Sequence, residues 1–177
     1  VAAYGVVPIL HECSVKVEKG ELAVIVGPNG AGKSTVMRVL LGMLEATSGS
    51  VTLDGNDISK LSTQERISLG LAFVPQNKNV FPSMTVEENL EMGAFLRTDD
   101  IKKTMEEVYS LFPILYEKRR QLAEELSGGQ RQQVAFGRAM MTQPSVMLLD
   151  EPTAGVSPIV MDEIFSNILD VRDAGMA

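Results

Sequence analysis

The chain has 177 residues and a formal net charge of −7 at pH 7, with 45% hydrophobic and 22% charged residues. This composition is typical of one folded globular domain, and a chain of this length buries about 70% of its unfolded surface. The acidic balance disfavours a nucleic-acid partner bound through a basic patch. The single cysteine, Cys13, excludes an internal disulfide and suits a reducing compartment.

The sequence carries neither a membrane span nor a leader. No apolar run approaches the ~20 residues that a spanning helix needs, and no basic-then-apolar segment opens the chain. We therefore expect a soluble protein, or one attached to a membrane only through partners. Val1 is not an initiator methionine and the sequence stops shortly after Gly175, a candidate helix cap, so we expect a segment cut at both ends.

The first part of the chain predicts a strand, a glycine-rich turn and a helix in succession. Extended segments are predicted over residues 6–17, and a strand buried on both faces over Leu22–Val26. The pattern G-x-x-x-x-G-K-[ST] of a phosphate-binding loop follows directly, as Gly27-Pro28-Asn29-Gly30-Ala31-Gly32-Lys33-Ser34. After Ser34 the apolar spacing becomes helical through Met43. This succession is the context that the loop motif requires.

The chemistry of this loop follows from its residue types. Glycines let the backbone wrap closely around a polyphosphate, and the helix that begins near Lys33 presents its positive end to the anion. Lys33 would supply a charge to the β- and γ-phosphates, and Ser34 a hydroxyl to Mg²⁺. A chance glycine-rich turn is the alternative, which the flanking strand and helix disfavour. We predict a nucleotide site.

Short local patterns organise the next residues. Ser50–Leu53 is predicted as a strand that ends in the hairpin-type turn Asp54-Gly55. Ser62 and Glu65 form a capping box at the start of a short helix. Leu71–Val74 is an apolar strand, which Pro75-Gln76 closes.

Residues 77–141 are predicted to be a helical insertion without a convincing strand. Thr85 and Glu88 form a second capping box, and a further helix is expected over Ile101–Phe112. Another helix should begin around Ser127–Gly129 and run to about Met141. The helical apolar spacing after Thr85 includes Val86, Leu90, Phe95 and Leu96.

Two patterns outside the glycine-rich loop carry further chemistry. Asp150 and Glu151 follow the apolar strand Val146–Leu149, so they should lie at the carboxyl edge of the sheet, where α/β sheets bind ligands. An acidic residue there can hold Mg²⁺, and a second carboxylate can deprotonate an attacking water. A solvated acidic pair is the alternative. Ser127-Gly128-Gly129-Gln130 is either a second anion-binding helix start or a simple N-cap followed by a turn.

Together these motifs resemble the nucleotide-binding subunits of ABC transporters over essentially the whole chain. Gly27–Ser34 matches the Walker A motif, and Val146–Asp150 matches Walker B. Ser127–Gln130 matches the family's signature motif, and Gln76 matches its Q-loop. Tyr4 stands where the family keeps an aromatic residue that stacks on adenine, although an ordinary packing tyrosine is equally compatible.

The resemblance implies a RecA-like P-loop NTPase fold of the α/β class. The fold would have a mainly parallel sheet, an inserted α-helical subdomain and an N-terminal antiparallel β portion, all within residues 1–177. Residues 1–76 and 142–177 would form the core, and residues 77–141 the helical subdomain with the signature motif. Alternation of strands with helices along the chain independently favours a parallel sheet.

The resemblance also implies ATP and Mg²⁺ as cofactors and assigns site residues. Glu151 and Lys33 would be catalytic, and Mg²⁺ would be held by Ser34, Gln76 and Asp150. In a head-to-tail pair of ATPase subunits, Ser127, Gly128, Gly129 and Gln130 would close over the partner's ATP. The residues expected to bind ATP directly are Tyr4, Gly27, Pro28, Asn29, Gly30, Ala31, Gly32, Lys33, Ser34, Thr35 and Gln76.

Finer similarity points to a subgroup of the family. Thr85–Phe95, Phe136–Met141 and Asp150–Pro158 are similar to the ATPases of branched-chain amino-acid importers. The implied partners are membrane permease subunits and, indirectly, an external substrate-binding protein, with the chain at the cytoplasmic face of the inner membrane. Ser157 departs from the aspartate that usually ends the family's D-loop, and the expected switch-loop histidine would lie beyond Ala177.

Two other functional classes stay open at this point. A soluble ABC ATPase of DNA repair or translation usually carries a second cassette or a long coiled coil, which this sequence does not contain. A non-catalytic nucleotide-binding fragment is disfavoured by intact Lys33, Asp150 and Glu151, but favoured by the missing C-terminal strand.

Overall fold

A computed structural model describes residues 1–4, 7–77, 79–153 and 158–173 of the chain. Its strands are β1 (Ala2–Tyr4), β2 (Val7–Leu10), β3 (Thr52–Leu53), β4 (Asn56–Asp57), β5 (Leu71–Val74) and β6 (Val146–Leu149). Its helices are α1 (Lys33–Leu40), α2 (Thr63–Ser68), α3 (Val86–Gly93), α4 (Lys102–Leu111), α5 (Pro113–Glu117), α6 (Gly128–Met140) and α7 (Pro158–Asp173). The predicted α/β class is confirmed.

The strands pair two by two in the described part of the chain. β5 and β6 are parallel, with Leu71 opposite Val146 and Val74 opposite Leu149. The β1–β2 and β3–β4 pairs are antiparallel. Asp54 and Gly55 join β3 to β4 with φ angles of 49° and 79°, the positive values that a two-residue type I′ turn requires. The predicted hairpin turn is confirmed.

Capping boxes begin the helices α2, α3 and α6. At the start of α3, the Thr85 hydroxyl accepts from the Glu88 N–H at 3.2 Å, and the Glu88 carboxylate accepts from the Thr85 N–H at 2.7 Å. Ser62 with Glu65 and Ser127 with Gln130 make the same reciprocal pair. Each box satisfies donors that the first helical turn leaves without partners. These three predicted helix starts are confirmed.

The helices α3 to α6 enclose most of the buried core. Leu90, Val108 and Phe136 are fully buried there. A Cβ on Gly93 would lie 2.1 Å from the Arg138 carbonyl oxygen, so the backbones of α3 and α6 meet at this glycine. β5 and α7 pack against α6 from the other side. Within the described part of residues 77–141 there is no strand, as predicted.

The predicted strand over Leu22–Val26 is wrong for this structure. These residues join no sheet, and the exposed fractions of Val24 and Val26 are 72% and 85%. A strand needs a neighbour that pairs with its N–H and C=O groups. Residues 22–25 instead line an apolar cavity of about 390 Å³ with β6, together with Val15, Met37 and Phe165. The segment therefore reaches the sheet without pairing with it.

The apolar spacing after Thr85 also extends beyond the helix that it predicts. Val86 and Leu90 are fully buried, but α3 ends at Gly93 and the next aromatic side chain, Phe95, is 76% exposed. Leu96 is half exposed. The spacing is therefore right for the helix and wrong for the residues that follow it.

Candidate nucleotide-binding site

The glycine-rich loop is closed by its own backbone. The Ala31 N–H donates to the Pro28 carbonyl at 3.1 Å, and Gly30 and Gly32 have φ angles of 84° and 94°. Gly32 is also the N-cap of α1, and a Cβ there would lie 2.8 Å from Leu10 Cδ2. Glycine is favoured at this position because its φ is one that other residues rarely adopt, and a Cβ would also require the end of the Leu10 side chain to shift. The helix begins at Lys33, as the motif predicts.

Lys33 reaches back over the loop from the first turn of α1. Its Nζ donates to the carbonyl oxygens of Gly27 at 2.9 Å and Pro28 at 3.3 Å. The same ammonium group lies 3.6 Å from Glu151 Oε1. The Lys33 side chain is 20% exposed and the Glu151 side chain 38% exposed, so solvent reaches the pair.

Asp150 and Glu151 come directly after β6, at the carboxyl edge of the parallel pair. The Asp150 N–H donates to the Val74 carbonyl at 3.1 Å, which extends the ladder by one bond beyond β6. The Ser34 hydroxyl donates to Asp150 Oδ1 at 3.1 Å. This bond joins residues 116 positions apart and links the glycine-rich loop to the sheet edge.

Gln76 completes the polar group from the neighbouring strand. It follows β5 as Glu151 follows β6, and its Nε2 donates to Glu151 Oε2 at 2.9 Å. Glu151 has a φ of 45°, a left-handed conformation that costs a non-glycine residue about 1–2 kcal/mol. Strained backbone of this kind is common at functional sites. The structure thus brings together Lys33, Gln76 and Glu151, with Ser34 and Asp150 beside them.

Ser127–Gln130 lies at the start of α6, away from these contacts. The Ser127 and Gln130 N–H groups are engaged in the capping box, at 3.1 and 3.2 Å. Ser127 and Gly128 are exposed. Among the described residues, no hydrogen bond or ion pair reported for this segment reaches the loop or the carboxylates. The N–H group of the exposed Gly128 belongs to the first turn, which lacks intrahelical acceptors, so it can meet an anion from outside, whereas Gly129 is buried.

Two predicted residues cannot be placed. The side chain of Tyr4 and the whole of Ser157 lie outside the described residues. Their roles therefore stay predictions.

Sequence reasoning missed Arg66, which fixes the far end of α1. Its side chain is 97% buried, and its Nη1 donates to the Val39 and Leu40 carbonyls at 2.8 Å each. Burial lowers the pKa of Arg66, while the charge of Asp57 raises it. The cation lies at the negative end of the helix dipole and satisfies carbonyls that the helix leaves open. In the sequence, the only sign of this role is a single arginine within the short predicted helix that begins after Ser62.

A model of the family described as ABC transporter matches residues 10–154 of the chain. The chain belongs to the ABC transporter family. It is an ATP-hydrolysing, ATP-binding subunit of that family, and the resemblance stated from its motifs is confirmed. Within the described residues, no helix is both long and apolar enough to cross a membrane.

Relatives of this ABC subunit cover nearly all of it. The high-affinity branched-chain amino acid transport ATP-binding protein BraG of Pseudomonas aeruginosa is 42% identical over 98% of the chain and 75% of its own length. The probable branched-chain amino acid transport ATP-binding protein LivF of Archaeoglobus fulgidus is 38% identical over 97% of the chain and 73% of its own length. Other relatives are named for ribose or sn-glycerol-3-phosphate import or lipopolysaccharide export.

A solved ABC cassette has the same fold. The crystal structure of the ADP conformation of an ATP-binding cassette of an ABC transporter superposes with a TM-score of 0.85 at 32% identity, over 93% of this chain and 70% of that one. The predicted P-loop NTPase class is confirmed by this similarity.

Proposed function

We propose that Gly27–Thr35, Gln76, Asp150 and Glu151 form the ATP and Mg²⁺ half-site of this subunit. The observation that carries the proposal is the polar group in which Glu151 forms an ion pair with Lys33 through one carboxylate oxygen and accepts a hydrogen bond from Gln76 on the other. Residues from three separate elements meet there: the start of α1, the end of β5 and the end of β6. Tyr4 would stack on the adenine, as the family resemblance implies.

The residues of this site fit Mg²⁺. Ser34 and Asp150 offer hard oxygen ligands 3.1 Å apart, of the kind that Mg²⁺ prefers, and Gln76 is the third proposed ligand. Among the described residues no cluster of three His, Cys, Asp or Glu side chains could cage a metal. A site completed by nucleotide phosphates is typical of Mg²⁺. When bound, the ion would neutralise charge on the phosphates.

The proposed hydrolysis assigns one task to each side chain. Glu151 would accept the proton of the water that attacks the γ-phosphate in line, because its carboxylate follows β6 at the edge where Lys33 holds the phosphates. Lys33 would stabilise negative charge as it grows on the transferred group. Gln76, bonded to Glu151, would set the orientation of that carboxylate. Positioning and charge neutralisation would supply most of the rate enhancement.

The complete site would require a second ATPase subunit. The exposed Ser127 and Gly128 stand at the positive end of α6, yet in the described part of the chain their capping box makes no hydrogen bond to the loop of the same chain. In a head-to-tail dimer, Ser127–Gln130 would instead meet the γ-phosphate held by the partner. Residues 77–141 would move as the subdomain that carries this segment.

We propose branched-chain amino-acid uptake as the transport that this ATPase energises. The support is the naming of BraG and LivF, at 42% and 38% identity over nearly the whole chain. The subunit would lie at the cytoplasmic face of the inner membrane, held by permease subunits that receive substrate from an external binding protein. Residues 76–83, which follow β5, would face the permease.

The test is reconstitution with the permease subunits in liposomes, with ATP and Mg²⁺ on the ATPase side. Labelled leucine, isoleucine and valine should enter, and the loaded binding protein should stimulate ATP hydrolysis. Ribose and sn-glycerol-3-phosphate, with their own binding proteins, serve as controls. Uptake of a control solute without uptake of the amino acids would overturn the substrate assignment. ATP hydrolysis that survives disruption of residues 76–83 with full permease stimulation would overturn the proposed coupling surface.

A further inference from the structure

A half-buried hydrogen bond joins the segment after β5 to the signature-bearing helix. Asn79 Nδ2 donates to Gln132 Oε1 at 2.7 Å. Gln132 is 8% exposed, and Asn79 is half-buried. Removing one partner of such a bond leaves the other amide group poorly solvated, so the pair resists separation. Neither residue belongs to the motifs that identify the nucleotide site.

Each partner of this bond lies close in sequence to a residue of the proposed ATP sites: Asn79 is near Gln76, and Gln132 is near Ser127. Asn79 is three residues beyond Gln76, whose side chain holds Glu151. Gln132 is five residues beyond Ser127, about one and a half turns into α6. Two hydrogen bonds, Gln76 to Glu151 and Asn79 to Gln132, together with a short stretch of chain on each side of the second, therefore connect Glu151 to the start of α6.

Further contacts attach the residues after Asn79 to the helical region, which comprises the helices α3 to α6. The fully buried Asn89 accepts from the Phe81 N–H at 2.8 Å and donates to the Phe81 carbonyl at 3.0 Å. The Arg138 guanidinium of α6 lies 5.0 Å from the centre of the Phe81 ring. In chain order, the Asn79 bond is the first of these attachments that a displacement of Gln76 would reach. The contacts of Phe81 with Asn89 and Arg138 hold the chain just beyond this bond against the helices.

We propose that Asn79 and Gln132 are positioning residues, whose hydrogen bond makes the start of α6 follow the position of Gln76. The inference rests on the proposed function, in which Gln76 responds to the nucleotide and Ser127–Gln130 closes over the partner's ATP. The coupling is reciprocal, so closure of α6 on that ATP would also favour the bonded position of Gln76. Asn79 and Gln132 touch neither nucleotide nor water in this mechanism.

The test uses the assembled transporter and measures kcat and KM for ATP with Mg²⁺. Asn79→Leu and Gln132→Met keep the shape of each side chain and remove the bond. Each should lower kcat about fivefold, the effect of losing one net hydrogen bond, and change KM less than about twofold. The double variant should be no slower than either single variant, because both lose the same bond. The exchanged pair Asn79→Gln with Gln132→Asn keeps the combined length and should stay within about twofold of the wild-type kcat.

A matched control removes a similar bond at an exposed place. Lys118 donates to Gln121 Oε1 at 3.3 Å on the surface of the helical region, so Gln121→Leu should leave kcat unchanged. A thermal unfolding midpoint that falls while kcat is unchanged would overturn the proposal, since it marks a purely structural bond. Additive losses in the double variant, or failure of the exchanged pair to restore kcat, would overturn it too. If Gln132→Met does not fold, Asn79→Leu and Asn79→Ser, at the half-buried position, decide the matter.

The same preparation separates the two hypotheses. Amino-acid uptake by the wild-type transporter tests the proposed function, whereas the kcat comparison tests the link between Asn79 and Gln132. A wild-type transporter that hydrolyses ATP without amino-acid uptake would remove the transport assignment. The kcat of the variants would still decide whether the hydrogen bond positions α6.

Discussion

Similar apolar patterns lead to different structures in two regions of the molecule. One is the helical region, formed by α3 to α6, and the other is residues 22–26, which lead into the glycine-rich loop. In α3 and α6, Leu90 and Val134 are completely buried. Along residues 22–26, Val24 is 72% exposed although its pattern predicts burial on both faces. A helix satisfies its backbone within four residues, whereas a strand depends on a neighbour that the local sequence does not name. Local apolar patterns therefore predict burial correctly within the helices α3 and α6, but they do not predict it along residues 22–26.

The two regions also divide the work of the protein. Residues 22–26 pack little against the rest of the chain, but they lead into the polar group formed by Lys33, Gln76 and Glu151. The helical region carries most of the buried core, and only its exposed helix start at Ser127 is assigned a part in the chemistry. Substitutions around Lys33, Gln76 and Glu151 should change turnover, whereas substitutions in the buried core of the helical region, away from the Asn79–Gln132 bond, should change the free energy of unfolding.

We expect the largest effect at Glu151, which belongs to the polar group beside the glycine-rich loop. Glu151→Gln removes the proposed base, so turnover of ATP should fall by at least about 10²-fold while ATP is still bound. The unfolding midpoint should change little, because the side chain is 38% exposed. ATPase assays and nucleotide binding measure the two quantities. Glu45→Gln is the matched control, since Glu45 pairs with Lys60 in solvent and should alter neither. Turnover near the wild-type value would remove Glu151 from its role.

Gly93→Ala should give the largest loss of stability in the helical region. Alanine normally stabilises a helix relative to glycine, but here the added Cβ would lie 2.1 Å from the Arg138 carbonyl oxygen. Separation of α3 from α6 should cost about 2–3 kcal/mol of unfolding free energy, measured by urea denaturation. Gly128→Ala is the control, because its Cβ would meet no atom within 4 Å. Equal midpoints for the two variants would contradict the close approach of the helices.

A valine truncation in each region tests the comparison directly. Val134→Ala empties space in the core and should cost about 1–2 kcal/mol, whereas Val24→Ala should change the unfolding free energy by less than about 0.5 kcal/mol. Both variants are measured in urea under one set of conditions. A cost at Val24 as large as that at Val134 would mean that residues 22–26 form a buried strand in solution, and the contrast between the regions would disappear.

The smallest effect concerns pH and the capping box of α3. Hydrogen bonds from the Thr85 backbone and hydroxyl lower the pKa of Glu88. A lowered pKa favours the ionised, folded state, so this stabilisation is present above the unfolded pKa and is lost as the pH falls through the folded value. Wild-type stability should therefore decline relative to Glu88→Gln as the pH falls below about 4.5, close to the ordinary value for glutamate. Parallel urea midpoints across that range would show that the box carries no ionic contribution.

The sequence was informative wherever neighbouring residues decide the structure. The boxes at Ser62, Thr85 and Ser127 placed three helix starts, and the motif at Gly27–Ser34 placed the start of α1. The loop could be predicted because its residue types follow from the chemistry of phosphates, and the strand that precedes Asp150 and Glu151 because it is a continuous apolar run. The bonding of Gln76 to Glu151 could not, because it depends on β5 and β6 becoming neighbours across 75 positions.

The same reason explains the failures and omissions. The strand over residues 22–26 needed a pairing partner, and Phe95 lies beyond a helix end that apolar spacing does not mark. Arg66 and the Asn79–Gln132 pair are polar residues whose partners are distant in sequence, at separations of 27 and 53 residues. The identity of one polar residue does not reveal a partner that lies so far along the chain.

The bonds of Lys33 to its own loop give the site an internal competitor. In the proposed site, a phosphate that binds Lys33 would replace the carbonyls of Gly27 and Pro28 and the carboxylate of Glu151 around the ammonium group. Because these groups are tethered, they compete at a high effective concentration, and the net gain from each phosphate contact is reduced accordingly. The exchange would therefore lower the affinity of the proposed site for phosphate. If the proposed function is correct, this competition would favour release of ADP between cycles of hydrolysis.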